Sequence, residues 1–324
     1  MKSISCDSLR LSLHEPLDGF YQGTRFDRSG VFGSVSFGGV EFCAPWYERY
    51  DPFMHDAVLG PAEEFSPIFL PAPSSPRAVL KIGVGLLRLP DDGPYDRFRL
   101  YEIADPGEWS LEHTADSVSF CHVVPGYYKY IKKVRLLSGS SFEISHELLA
   151  SDMPLEGDVY NHNFFTLGLL ATSTGRQIDF PYQANGDWRA EYDSVSLEAS
   201  APEAPHCPPA TGFRFHRALE KGESVYMGNI RAVSPVHTPY EILIRETALP
   251  GCAAPARLTP TVHVHGSVPV LRSVMWANHR IACIEPYGGE DLAARPSRGE
   301  ARKHRRDIVR GRRTGGDGDP VGRE

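Results

Sequence analysis

Tyr127 to Leu137 reads YYKYIKKVRLL, and Ser141 to Leu149 follows as SFEISHELL. Both alternate residue by residue, as in a strand whose successive side chains point to opposite faces. The same period recurs on either side, in SVSFGGVEF (34–42), AVLKIGVGLLRL (78–89), QIDFPY (177–182), FRFHRAL (213–219), YEILIRE (240–246) and TVHVHGSV (261–268). Gly, Pro, Asp and Ser punctuate these segments, and no helical stripe persists over three turns. The pattern predicts an all-β protein, a large antiparallel β-sandwich with sheets packed face to face.

The chain has 324 residues, enough for one large β domain or two ordinary ones. No repeat or convincing linker divides it; EASAPEAPHCPPATG (198–212) reads as a long surface loop. Residues 1–294 are therefore expected to form a single sandwich. From Arg295 onward the chain is basic and offers only Ile308, Val309 and Val321 as sizeable apolar residues, so 295–324 is expected to be a disordered tail. Residues 1–294 carry 24 basic and 36 acidic residues, an acidic body that argues against a nucleic-acid surface. No apolar run reaches membrane-spanning length, and Arg10, His14 and Glu15 interrupt any signal-peptide core. The expectation is a soluble cytoplasmic protein, monomer or homodimer, with its six widely spaced cysteines as buried thiols.

Within DVYNHNFFTLG (158–168), alternation places Tyr160, His162, Phe164 and Thr166 on one face and Asn161 and Asn163 on the other. Asparagine is depleted in strands, so the flanking pair suggests locally supplied hydrogen bonds. On residue chemistry alone, a structural histidine satisfied by a neighbour is the favoured reading of His162. In IACIEPYGG (281–289) both faces are apolar until Glu285 appears before Pro286. A carboxylate closing a buried strand must be paired, protonated or facing a cavity, unless it sits at an exposed strand end. A third group, YQGTRFDRSG (21–30) and HDAVLGPAEEF (55–65), sets Arg25, Asp27, Glu63 and Glu64 among aromatics and glycines. That texture suits hydrogen bonding to a polyol whose C–H faces stack on rings, or an ion-paired turn. His263 and His265 share a strand face but lack a third metal ligand, and phosphate-loop, nucleophile-elbow and dinucleotide fingerprints are missing.

YNHNFFTLG resembles the N-H-x-Y/F-F-N-L segment of aldose 1-epimerases (galactose mutarotases), matching at Asn161, His162, Phe165 and Leu167, with Thr166 where that family usually has Asn. IACIEPY resembles the V-E-P segment of the related hexose-6-phosphate mutarotases. YQGTRFDRSG, GPAEEF (60–65) and KIGVG (81–85) look like a less-studied branch of the same superfamily, with the motifs in the same order. The resemblance covers about residues 20–290. It implies a galactose mutarotase-like supersandwich, a monosaccharide substrate, no cofactor or metal, His162 as general acid and Glu285 as general base. Arg25, Asp27, Glu64, Tyr160 and Phe164 would contact the sugar. Two features of the family are missing: the G-R-x-x-N-R-I segment and, in the region of the second histidine, an H-G segment. The family's closing strand after a P-G-E turn is replaced here by PSRGE and the basic run that follows. A non-catalytic carbohydrate-binding protein, and a polysaccharide lyase or glycoside hydrolase on the same fold, are the competing classes; the latter needs a longer cleft and a Tyr or second carboxylate as catalytic group.

Overall fold

The computed structural model describes residues 1–70, 77–90, 93–151, 153–168, 172, 175–187, 192–199, 210–233, 241–246, 261–267, 270–288 and 302–308. Among them are 23 strands and no helix, so the period-two reading of the fold class holds. No helix among these residues is long and apolar enough to cross a membrane.

Most strands join one antiparallel ladder. It starts at Glu108–His113 and passes through Ser117–Val124, Tyr128–Ser138, Ser141–Ala150, Arg302–Ile308, Thr261–Gly266 and Glu241–Glu246. It continues through Arg176–Asp187, Ser224–Ala232, Val270–Asn278, Ala282–Gly288 and Val159–Phe164, and ends at Gly60–Phe65. Two four-stranded sheets accompany it. The ladder folds back on itself, because side chains from its two ends share one core. Phe120, Val134, Phe142 and Ile144 pack in the same cluster as Phe164, Val225, Met275 and Ile284. Phe65 meets Tyr130 edge-on with ring centroids 5.3 Å apart.

A polar cluster sits in this interface. Alternation along Tyr128–Ser138 points Lys132 inward with Tyr130 and Val134, and its ammonium bonds to the fully buried Glu63 carboxylate. Asp27 lies 3.8 Å from the same ammonium and accepts the Tyr130 hydroxyl at 2.9 Å. His146 stands 3.3 Å from Glu63, and the Asn161 amide donates to Glu63 at 3.4 Å. Burial works against the Glu63 carboxylate, but the charges of Lys132 and His146 outweigh it and hold its pKa well below the ordinary range. At Asp27 burial prevails over the attraction of Lys132 and pushes the pKa up to about 6. Gly83 in KIGVG makes room for this aspartate: its φ is +74° and a Cβ there would lie 2.1 Å from Asp27 Oδ1.

The expectation of a structureless tail is corrected at one place. Arg302–Ile308 is a strand, paired with Phe142–Leu148 on one side and Val264–Gly266 on the other. Main-chain groups of both neighbours would otherwise form unpaired edges in mid-ladder, so backbone pairing compensates for the segment's poverty in apolar residues. Residues 295–301 and 309–324 lie outside the described residues. The expected surface loop at 198–212 is strand at both ends, within Val195–Ala199 and Ala210–Phe215, which pair with each other; 200–209 lie outside the described residues.

Two outcomes follow from the interior cluster. Lys132→Met leaves buried carboxylates without their cation and should cost about 3–5 kcal/mol in urea unfolding. Asp27 loses its proton near 6 when folded, but near 3.9 when unfolded. Between those values the unfolded chain binds fewer protons, so raising pH through that window should lower stability. Asp27→Asn should flatten that slope in unfolding curves taken at pH 4 to 6.

Candidate active site

On the face of the ladder opposite the polar cluster lies a cavity of about 750 Å³. Its floor follows from strand register. Ala62 pairs with His162 and Glu64 with Tyr160, so His162, Tyr160 and Phe164 share a face with Glu64. Val274 pairs with Glu285, and Tyr226 with Trp276, which extends that face across three more strands. Between Val159–Phe164 and Ala282–Gly288 one backbone register pair, Tyr160 with Tyr287, is formed. Nearer the histidine the Asn163 side-chain amide donates to Ile284 O at 2.9 Å. The two asparagines thus anchor the strand from its inner face, Asn161 to Glu63 and Asn163 to the strand that carries Glu285.

His162 and Glu285 meet directly. Nε2 lies 2.9 Å from Oε1, with both side chains less than a tenth exposed. The imidazole lies flat on Phe164, centroids 3.7 Å apart and planes 2° from parallel. Trp46 stacks on Phe164 at 5.2 Å, and Trp276 meets His162 edge-on at 5.9 Å. Thr166, standing where the resembled motif has Asn, accepts a hydrogen bond from Ala44 N at 2.9 Å, and Trp46 Nε1 donates to Val58 O at 3.1 Å. These two bonds tie the segment carrying Trp46 over the site.

Beneath the other end of the cavity, Glu64 gathers cations. Arg25 Nε donates to it at 2.6 Å, Arg97 Nε lies 3.4 Å away and buried Lys81 4.0 Å away. The Tyr160 hydroxyl donates to Glu64 and accepts from Arg25 at 2.8 Å and Arg97 at 3.0 Å. Burial opposes the Glu64 charge, but the arginines, the lysine and the hydroxyl outweigh it and hold the carboxyl below its usual range. Burial also pulls the Lys81 ammonium down to about 8. His55, at 3.4 Å from Arg25, is lowered chiefly by burial, against the pull of Asp56.

Of the residues singled out from sequence, His162, Glu285, Arg25, Tyr160 and Phe164 line the cavity together. Glu64 lies one layer below, holding Arg25 and Tyr160 in place. Asp27 does not belong: it is buried in the interior cluster, because the chain bends at residues 24–26 instead of alternating. Sequence reasoning missed Trp46, Arg97, Trp276 and Tyr287, all on the cavity wall. Tyr287 was within reach, since it is two residues beyond Glu285 on the same strand face. Among the described residues no three His, Cys, Asp or Glu gather as metal ligands.

No protein-family model and no curated protein sequence matches this chain. Solved structures do. A putative aldose 1-epimerase from Escherichia coli K12 superposes with TM-score 0.51 at 15% identity, covering 95% of this chain and 97% of that one. The Slr1438 protein from Synechocystis sp. PCC 6803 gives 0.51 at 13% identity, covering 95% and 94%. A GalM/aldose epimerase homologue from C. elegans gives 0.50 at 12% identity, covering 95% and 98%. At such identities the likeness speaks for architecture alone: the chain shares the all-β sandwich fold of these structures.

Proposed function

We propose that this chain is an aldose 1-epimerase, a mutarotase that interconverts the α and β anomers of a free hexose. The observation that supports it is the 2.9 Å pair of His162 and Glu285 on the floor of an aromatic-walled cavity. Anomer exchange requires a proton placed on the ring oxygen and another removed from the C1 hydroxyl. Those two oxygens share one carbon, so an acid and a base standing side by side can reach both.

When the sugar enters, His162 as imidazolium turns its Nε2–H from Glu285 to the ring oxygen. Glu285 takes the C1 hydroxyl proton, the C1–O bond breaks, and the chain opens to an aldehyde. Rotation about C1–C2 followed by the reverse transfers closes the other anomer, with the acid and base roles exchanged. The reaction uses only proton transfers, and the reading assigns it no metal or cofactor. Trp46 and Trp276 line the cavity and would meet sugar C–H groups, while Phe164 backs the imidazole. Arg25 and Arg97 line the cavity at the far end of Val159–Phe164, and in this reading they bond hydroxyls away from C1. A glycoside hydrolase would need two carboxylates about 5–10 Å apart across the scissile bond, whereas this pair is one carboxylate in contact with a histidine.

Glu285→Gln should lower the acceleration of glucose or galactose anomer exchange by about 10²–10⁴ with an unchanged unfolding midpoint. His162→Asn should do the same. Saturation-transfer NMR measures the exchange directly; an unaltered rate in Glu285→Gln would reject the assignment. Sugar binding without any acceleration by the wild type would identify a binding protein instead.

A further inference from the structure

Half of the large apolar side chains that stand exposed among the described residues lie on three loops, 17–24, 47–56 and 95–101. They are Leu17, Tyr50, Phe53, Met54, Phe98 and Leu100, each at least 41% exposed. The loops are fastened to one another. Gln22 N donates to Pro52 O at 2.7 Å, the Tyr21 hydroxyl to His55 O at 2.9 Å and Thr24 Oγ1 to Arg99 O at 3.4 Å. Phe20 stacks on Tyr50 at 5.3 Å, and Phe98 meets His55 edge-on at 5.0 Å. Single exposed apolar residues are normal on a protein surface, but six gathered on linked loops make a patch of the kind that another molecule covers.

The charges in the patch select its occupant. The exposed arginines of these loops, Arg49, Arg97 and Arg99, are matched by the exposed aspartates Asp18, Asp51 and Asp96. Glu48 is already paired with Lys221 at 2.9 Å. Residues 1–294 as a whole carry 24 basic and 36 acidic residues, so the body repels a second copy of itself and an anionic lipid surface alike. On this face the signs balance, and charges farther away than a Debye length of about 8 Å are screened. A twofold interface buries the same patch on both copies, so the patch must complement itself, apolar on apolar and arginine on aspartate. Equal numbers of both signs among apolar side chains meet that condition; a lipid surface calls for an excess of arginine and lysine.

We infer that two copies of this chain associate about a twofold axis through the face built from loops 17–24, 47–56 and 95–101. Asp96, Arg97 and Phe98 belong to the cavity wall as well as to the patch. The second copy therefore stands at one lip of the cavity and narrows its mouth from that side. The association is independent of the reaction carried out at His162 and Glu285.

Sedimentation equilibrium of the full chain from about 1 to 100 μM should show a mass that rises with concentration to that of two chains and stops there. Phe53→Asp and Leu100→Asp should each weaken the dimer about 30-fold or more, with circular dichroism and the urea midpoint unchanged. Leu137→Asp, an equally exposed position at the end of Tyr128–Ser138, should leave the dimer as it is. Should either aspartate variant fail to fold, Arg49→Asp on the exposed turn replaces it, and weakening is again the expected result. A single-chain mass at every concentration would overturn the inference, as would a mass climbing past two chains. A dimer unmoved by the patch variants, or weakened as much by Leu137→Asp, would overturn the assignment of the face. Flotation of a monomeric chain with mixed phosphatidylcholine and phosphatidylserine vesicles, lost in Phe53→Asp, would overturn it in favour of a lipid surface.

Discussion

The buried contact between Lys132 and Glu63 is the constraint on which the site depends. Glu63 and Glu64 are neighbours on the terminal strand of the ladder, and strand geometry sends them to opposite faces. Glu63 meets Lys132 and His146 between the layers; Glu64 meets Arg25, Arg97 and Tyr160 under the cavity. A slip of one residue would exchange the two faces and separate every one of these charges from its partner. Burying an uncompensated carboxylate costs several kcal/mol, so the two ion clusters together pin the register of Gly60–Phe65. That register places Ala62 opposite His162 and therefore fixes which way the histidine points.

The asparagines on either side of His162 belong to the same device. A strand residue whose side chain reaches the neighbouring backbone can replace a ladder bond, and Asn163 does so with Ile284 O where the two strands share a single register pair. The strand carrying His162 is thus tied to the strand carrying Glu285 by a side-chain amide that points away from the cavity. Asn161 joins the same strand to Glu63, so the interior cluster and the cavity face are linked within three residues.

Much of this was legible in the sequence, for physical reasons. A period of two determines facing, so the aromatic face of His162 and the isolated carboxylate of Glu285 were both visible in alternation alone. The conjunction of Glu63 and Glu64 was visible too, but nothing local told which faced the cavity. Asp27 was misplaced because it was grouped with Arg25 by composition alone, whereas the chain bends at residues 24–26 and the two side chains join different clusters. Arg97 and Trp46 carry no periodic signal, since they lie between strands and reach the site only through tertiary contacts such as Trp46 Nε1 to Val58 O. Arg302–Ile308 was missed for a different reason. Its composition is poor in apolar residues, while its pairing comes from the open edges of two strands far earlier in the chain.

The arrangement of charge leaves a single carboxylate paired with a histidine at one end of the cavity. Arg25 and Arg97 stand on the wall of the same cavity as Glu285, and a guanidinium in contact with that carboxylate would stabilise its ionised form and oppose its taking a proton. Glu64 prevents this by engaging both arginines from below, with the Tyr160 hydroxyl closing the set. Glu285 is left to pair with His162, a partner that can surrender and recover a proton, unlike arginine. The histidine–carboxylate pair at one end of the cavity and the arginine–tyrosine–carboxylate set at the other thus stand two residues apart on one face of a single strand, from Tyr160 to His162.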